Sequence, residues 1–311
     1  MVHTNSEALM RTFMKSVLFA LGSLLCAAPA TSAVNILACE PEWAALATEI
    51  GGDRVNVYSA TTALQDPHRI EARPSLIARA RSADLVVCTG SDLEVGWLPL
   101  LFSQSGNPKI QPGTQGHFEA SQFVTRIEVP KVLDRSMGDV HPGGNPHVHL
   151  DPRNIAKVAE ALAARLSQID APNAATYQVR LAAFKPRWQS AIERWEREGA
   201  RLRGVPVVVY HRDLSYFIAW MGMREAGSLE PRPGLPATPA HLTELVEKMK
   251  RDPAKVILYS AYNSAKPAEF LSSRTGIVSV MLPYTVGGTE KAKDLYGLFD
   301  ETLARLLAVV K

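Results

Sequence analysis

Net charge is the first thing this sequence lacks. Its 311 residues carry 34 lysines and arginines against 31 acids, a formal excess of +3, with no basic block and no stripe of aromatics interleaved with cations. That sets nucleic acid aside as a partner, because phosphate binding needs a concentrated basic face. Long apolar runs are also lacking after the N-terminus, so no later segment is written as a membrane span. Catalytic signatures are missing as well: there is no His-Glu-x-x-His helix, no nucleophile elbow and no acid obviously placed as a general base, and an enzyme is not expected. What is present, 46% hydrophobic and 21% charged residues, describes a folded globular chain long enough for two domains.

The N-terminus stands apart. Arg11 and Lys15 precede an apolar run from Ser16 to Ala28, and Thr31-Ser32-Ala33 ends it with small residues. This is the layout of a cleavable secretory signal over residues 1–33, with Met10 or Met14 as alternative starts and Val34 opening the mature chain. Cys26 raises a lipoprotein anchor, but Leu25 stands where a small residue is needed, so a cleaved periplasmic protein is expected. Cleavage leaves Cys39 and Cys88, both at the ends of expected strands. In an oxidising compartment they are either a disulfide or two buried thiols.

The rest of the mature chain alternates strand and helix patterns. Strands are expected at 34–39, 54–60, 84–88 and 123–129, and helices at 43–50, 74–81 and 93–101. Helical periodicity then runs from Pro152 to Ile169 and, highly charged, from Ala175 to Arg203, interrupted only by Pro186. The grammar of the first half returns with strands at 205–210, 255–259 and 277–282, a helix at 238–250 and a closing helix at 291–310. The expected fold is therefore α/β: two lobes, 34–171 and 204–311, each a parallel sheet flanked by helices, joined by a long rigid helix over 172–203 that spaces the lobes without entering a core.

Three of the eight histidines, His141, His147 and His149, fall within nine residues in a Gly/Pro-rich loop ending at Asp151-Pro152. Asp at an N-cap followed by Pro at the first helical position starts a helix, so this loop is stiff. In open parallel sheets, ligands bind in loops beyond the carboxyl ends of strands. His68 follows the second strand, His147 precedes a helix at the lobe boundary, and His211 ends the first strand of the second half. Three imidazoles in equivalent loops suit Zn²⁺ better than Mn²⁺, which usually needs more carboxylate oxygen. His149, His141 or water are the candidates for a fourth position. Asp66 and Asp151 read as supporting or capping groups, and Asp213 as a hydrogen-bond partner near His211. His3, His117 and His241 have no motif around them.

These landmarks, with Gly51-Gly52-Asp53-Arg54-Val55, Asp66-Pro67-His68, Leu93-Glu94-Val95-Gly96-Trp97, Asn145-Pro146-His147-Val148-His149-Leu150-Asp151-Pro152, Tyr210-His211 and Glu230-Pro231-Arg232-Pro233-Gly234, resemble the periplasmic substrate-binding proteins of zinc and manganese ABC importers, the ZnuA/TroA-like family. The resemblance covers essentially the whole mature chain. It implies metal held between two lobes by His68, His147 and His211, and docking of a monomer on a membrane permease. The chain departs from the family where a carboxylate commonly completes the site: Met281-Leu282-Pro283-Tyr284 and Tyr259-Ser260-Ala261-Tyr262 supply no acid. The expected function is capture of Zn²⁺ as transported ligand. The alternatives are binding of manganese, of a chelated metal or of a small organic ligand in a pocket lined by Tyr259, Tyr262, Leu282 and Tyr284. More remote is an exported zinc hydrolase with three histidines and one water.

Overall fold

The structure, a computed structural model, describes residues 32–132, 138 and 140–310, and residues 33–311 form one compact unit. The first sheet is built from β1 (Val34–Ala38), β2 (Val55–Ser59), β3 (Leu85–Cys88) and β4 (His117–Glu119), in the order β2-β1-β3-β4 and wholly parallel. The second uses β5 (Pro206–Val209), β6 (Arg224–Ser228), β7 (Val256–Ser260) and β8 (Val278–Leu282) in the equivalent order β6-β5-β7-β8, again parallel. Such strands are covered on both faces, which is why Leu85-Val86-Val87-Cys88 and Val256-Ile257-Leu258 are buried throughout.

The helices are α1 (Pro41–Gly51), α2 (Pro74–Ser82), α3 (Leu98–Ser105), α4 (Pro152–Ile169), α5 (Ala174–Glu198), α6 (Ser215–Met221), α7 (Pro239–Arg251), α8 (Lys266–Thr275) and α9 (Leu295–Val309). Several starts carry the expected local chemistry. The Asp151 side chain accepts from Arg153 N at 2.9 Å and Pro152 fills the first helical position of α4; Asp294 caps α9 through Gly297 N. That cap explains why the closing helix begins at Leu295 and not at Lys291.

The expected fourth strand over 123–129 is not formed: residues 120–123 make a 3-10 turn, and β4 lies earlier, at His117–Glu119. Its strand-like pattern reflects an extended crossing segment with partners outside the sheet, such as Ile127 N on the Tyr216 hydroxyl. β6 and α6 went unread because Arg224-Glu225-Ala226-Gly227-Ser228 lacks β-branched residues and the seven-residue α6 is too short to show a period.

Helix α5 links the two halves, at 25 residues and a length of about 38 Å. It is not, however, a spacer outside the core. Tyr177, Phe184, Trp188, Ala191, Ile192 and Trp195 lie along its buried face in the largest apolar cluster, which also takes in Leu85 and Val87 of the first sheet and Val207 and Leu258 of the second. Its charged composition belongs to the solvent face only. Truncating either tryptophan to alanine would cost about 3–5 kcal/mol. Trp188 also donates Nε1–H to Pro152 O at 2.7 Å, fastening the start of α4, and with it the histidine loop, to the core.

Candidate metal centre

The loop after β2 carries His68. Asp66 Oδ1 accepts from His68 N at 3.0 Å and faces His68 Nδ1 at 2.7 Å. Buried Trp97 donates its indole N–H to Pro67 O at 3.0 Å, and Gly96 lies so close that a Cβ there would stand 2.9 Å from His68 O. Backbone and ring of His68 are thus held from both sides.

His147 sits at the end of the glycine-proline loop, 1% exposed. Gly144 takes φ +93, which a side chain would resist, and its N–H reaches His141 O at 3.0 Å. Asn145 then stitches the loop across the molecule: Oδ1 accepts from His147 N at 3.0 Å, Nδ2 donates to Arg212 O at 2.7 Å, and its own carbonyl accepts from Tyr216 Oη at 2.9 Å. His147 Nδ1 faces Tyr284 Oη at 2.8 Å. His211 ends β5 in the second half, and its Nδ1 meets Glu230 Oε2 at 2.7 Å; Glu230 is itself fixed by Gly234 N at 2.9 Å.

Each Nδ1 is therefore turned back onto a protein group, and one ring nitrogen from each of His68, His147 and His211 lies within 4.8 Å of the other two. The Nε2 atoms of His68 and His147 are buried with no hydrogen-bond partner among the described residues. Buried imidazole nitrogens are rarely left so, and this donor set fits a cation that takes nitrogen ligands in tetrahedral geometry. The electrostatics agree. Burial, reinforced by His68, His211, His141 and His149, holds His147 well below the ordinary imidazole value, so its ring stays neutral. His211 is raised, because Glu230, Asp213 and Asp66 outweigh the burial that works against its charge. Asp66 is lowered in spite of burial, by its bonds to His68 and by nearby His211.

The other expected residues divide. His149 is not aimed at this centre: it lies in the 3-10 turn Val148–Leu150 and is fully buried, with Nε2 3.0 Å from Tyr284 O and Nδ1 3.1 Å from Glu42 Oε1. His141 lies beside the cluster, its ring centroid 5.4 Å from that of His68, on the wall of a small cavity of about 70 Å³ shared with His147 and His211. Asp66 is the supporting carboxylate expected of it, whereas Asp151 is a helix cap. Asp213 is not the partner of His211's ring; it accepts from Ser260 Oγ and from Tyr262 Oη at 3.0 Å. His117 sits against Phe102 and Glu119, and His241 Nε2 reaches Ser228 O, both away from the centre; His3 and Cys26 lie outside the described residues. Of the aromatic quartet, Tyr262 lines a larger cavity of about 230 Å³ beside His68 and His211, while Leu282 and Tyr284 are buried and Tyr259 packs against the core of the second half.

Glu230, Tyr284 and Asn145 were not assigned by the sequence as partners. They stand 19, 137 and 2 residues from the histidines they orient, and only the Asn145-Pro-His spacing was local enough to be read. A buried acidic network went unnoticed altogether. Glu94 accepts from Thr89 N at 2.7 Å and Gly90 N at 3.1 Å, and burial pushes it up to about 7; Glu40 beside it is also raised, by burial first, with Glu94 and Glu42 adding repulsion. Next to this network Cys39 and Cys88 form a disulfide between β1 and β3, with Cα atoms 4.8 Å apart, which decides between the bridge and two thiols.

The model of the family described as zinc-uptake complex component A, periplasmic (ZnuA), matches residues 36–309. The chain is 24% identical over 272 residues to the metal ABC transporter substrate-binding lipoprotein ScbA of Streptococcus cristatus, covering 85% of this chain and 84% of that protein. Identity and coverage are the same, 24% over 272 residues with 85% and 84%, for the manganese ABC transporter substrate-binding lipoprotein scaA of Streptococcus gordonii. A crystal structure of ZnuA superposes with a TM-score of 0.75 at 22% identity, covering 90% of this chain and 100% of that one, a likeness of fold. The chain belongs to this family of extracytoplasmic metal-binding proteins, which are substrate-binding components that serve the permeases of ABC importers and are not enzymes.

Proposed function

We propose that this protein captures Zn²⁺ through His68, His147 and His211 and hands it to the permease of an importer. One observation carries the reading: three imidazoles from separate loops converge by one nitrogen each within 4.8 Å, while their Nδ1 atoms rest on Asp66, Tyr284 and Glu230. Three nitrogen donors with no carboxylate among them favour zinc over manganese or iron, which prefer more oxygen. A relative named for manganese transport is no obstacle, since ligand sets change within folds.

The mechanism is reversible coordination without chemistry. Zinc binds neutral imidazole at Nε2, which requires the proton at Nδ1, and the three Nδ1 partners preset that tautomer. Release follows when the segments that bring His68, His147 and His211 together are separated at the permease. The reading includes a monomer working as two lobes, 34–171 and 204–311, about the segment 172–203.

Titrating chelator-stripped residues 34–311 with zinc and manganese in parallel tests the proposal. One tight zinc equivalent with far weaker manganese is expected, and unchanged zinc affinity in His147→Ala would overturn it. Export by a signal cleaved after Ala33 is part of the same proposal; a lipid-modified Cys26 at the mature N-terminus, seen by intact mass, would reject it.

A further inference from the structure

Three nitrogen donors fill three positions of a tetrahedral site and leave a fourth to be supplied. Tyr284 Oη is committed to His147, both ring nitrogens of His149 face Glu42 and the Tyr284 carbonyl, and Asp213 accepts from Ser260 and Tyr262. His141 lines the small cavity with His147 and His211, its ring centroid 5.4 Å from that of His68. On the other side, His68 and His211 form one wall of the cavity of about 230 Å³. A water molecule occupies about 30 Å³ in the liquid, so a single metal-bound water would leave most of that space unused.

The opposite walls supply hydrogen-bond donors: exposed Arg69 and half-buried Tyr210 and Asn263. The Arg69 guanidinium lines the cavity and makes no ion pair or side-chain hydrogen bond with the described residues. The Tyr210 hydroxyl, also on the wall, likewise has no partner among them. Asn263 uses Oδ1 to accept from Ser260 N at 2.9 Å, which directs its amide NH₂ away from that bond. The two carboxylates in the cavity, Asp66 and Glu230, are each tied at 2.7 Å to a ring Nδ1. Arg69 is the one cationic side chain among the residues lining this cavity.

We propose that the protein binds its metal together with a small carboxylate anion, which ligates the metal through one oxygen from this cavity and is held by Arg69, Asn263 and Tyr210. The inference rests on the three-histidine reading. A carboxylate is the class that fits: it offers a metal-ligating oxygen and a second oxygen for the fork of an arginine. Carbonate, amino-carboxylates and polycarboxylates share this chemistry. The anion takes the place of the side-chain carboxylate that positions 281–284 do not provide.

The test uses the mature chain loaded with one equivalent of Co²⁺, whose visible bands report the ligands and their geometry, in a non-coordinating buffer. Bicarbonate, glycine and citrate are added separately. In parallel, each anion in radiolabelled form is dialysed against protein with and without metal, and protein-bound metal is measured in the same samples. At least one anion is expected to shift the bands saturably and to be retained at one equivalent, only when metal is present. Which anion does so names the source. Arg69→Gln is expected to raise the concentration needed by about tenfold or more, as loss of a charge-assisted pair implies. Unaltered spectra with all three anions, metal-independent retention, or an Arg69→Gln response equal to wild type would overturn the inference and leave the histidine site standing. An anion-free spectrum that changes in His141→Ala would assign the open position to His141 and also overturn it. Failure of the metal itself to bind would instead sink the underlying functional reading.

Discussion

On the proposed reading of a three-histidine zinc site, removing one hydroxyl, in Tyr284→Phe, isolates how much of the affinity comes from orienting an imidazole. Phenylalanine keeps the ring that packs edge-on against His147, His149 and Tyr262 at centroid distances of 5.6, 5.0 and 5.1 Å. It deletes the single oxygen, 2.8 Å away, that pairs with His147 Nδ1. Zinc at Nε2 forces the proton onto Nδ1, and in the variant that N–H is buried in a residue only 1% exposed, with no acceptor. An unpaired buried donor costs about 1–3 kcal/mol, and lost support of a metal-ligating histidine lowers affinity about 10–100-fold, or about 1.4–2.7 kcal/mol. Competition against a chromophoric zinc chelator should therefore show that loss. At fixed excess zinc, the increment in unfolding free energy that zinc confers in urea should shrink by the same amount, since stabilisation follows RT ln(1 + [L]/Kd). A normally folded variant whose zinc Kd stays within about twofold of wild type would refute the claim that the tyrosine supports the ligand.

Three further outcomes are expected. Gly96→Ala places a methyl 2.9 Å from His68 O, displacing that loop and weakening zinc; equal affinity would show that the loop yields without consequence. Glu94, raised to about 7 from 4.5 by burial, binds its proton more readily folded than unfolded, so it should depress stability as pH rises from about 4.5 through 7; urea unfolding of Glu94→Gln should lack this component, and parallel pH profiles for variant and wild type would remove it. The disulfide between Cys39 and Cys88, separated by 49 residues, should leave no thiol titratable after denaturation without reductant, and Cys39→Ser with Cys88→Ser should cost about 4 kcal/mol of stability by chain entropy; two free thiols in the mature chain would contradict the bridge.

How far the sequence reaches follows from the range over which its signals act. Alternating strand and helix patterns, the Asp151-Pro152 cap and the placement of His68 and His211 after strands are local, and they specify a parallel α/β fold in two similar halves with histidines at strand ends. The same locality misled where a neighbour was needed to interpret the pattern. The segment 123–129 has the composition of a strand but finds its hydrogen bonds elsewhere, and the charges of α5 concealed a buried face of tryptophans. Nothing local pairs His147 with Tyr284 across 137 residues, His211 with Glu230 in preference to nearby Asp213, or His149 with Glu42. The sequence by itself determined which imidazoles reach the end of the sheets, because backbone periodicity decides where a chain turns. Only the tertiary structure decided which ring nitrogen each one presents, because that depends on what packs behind it.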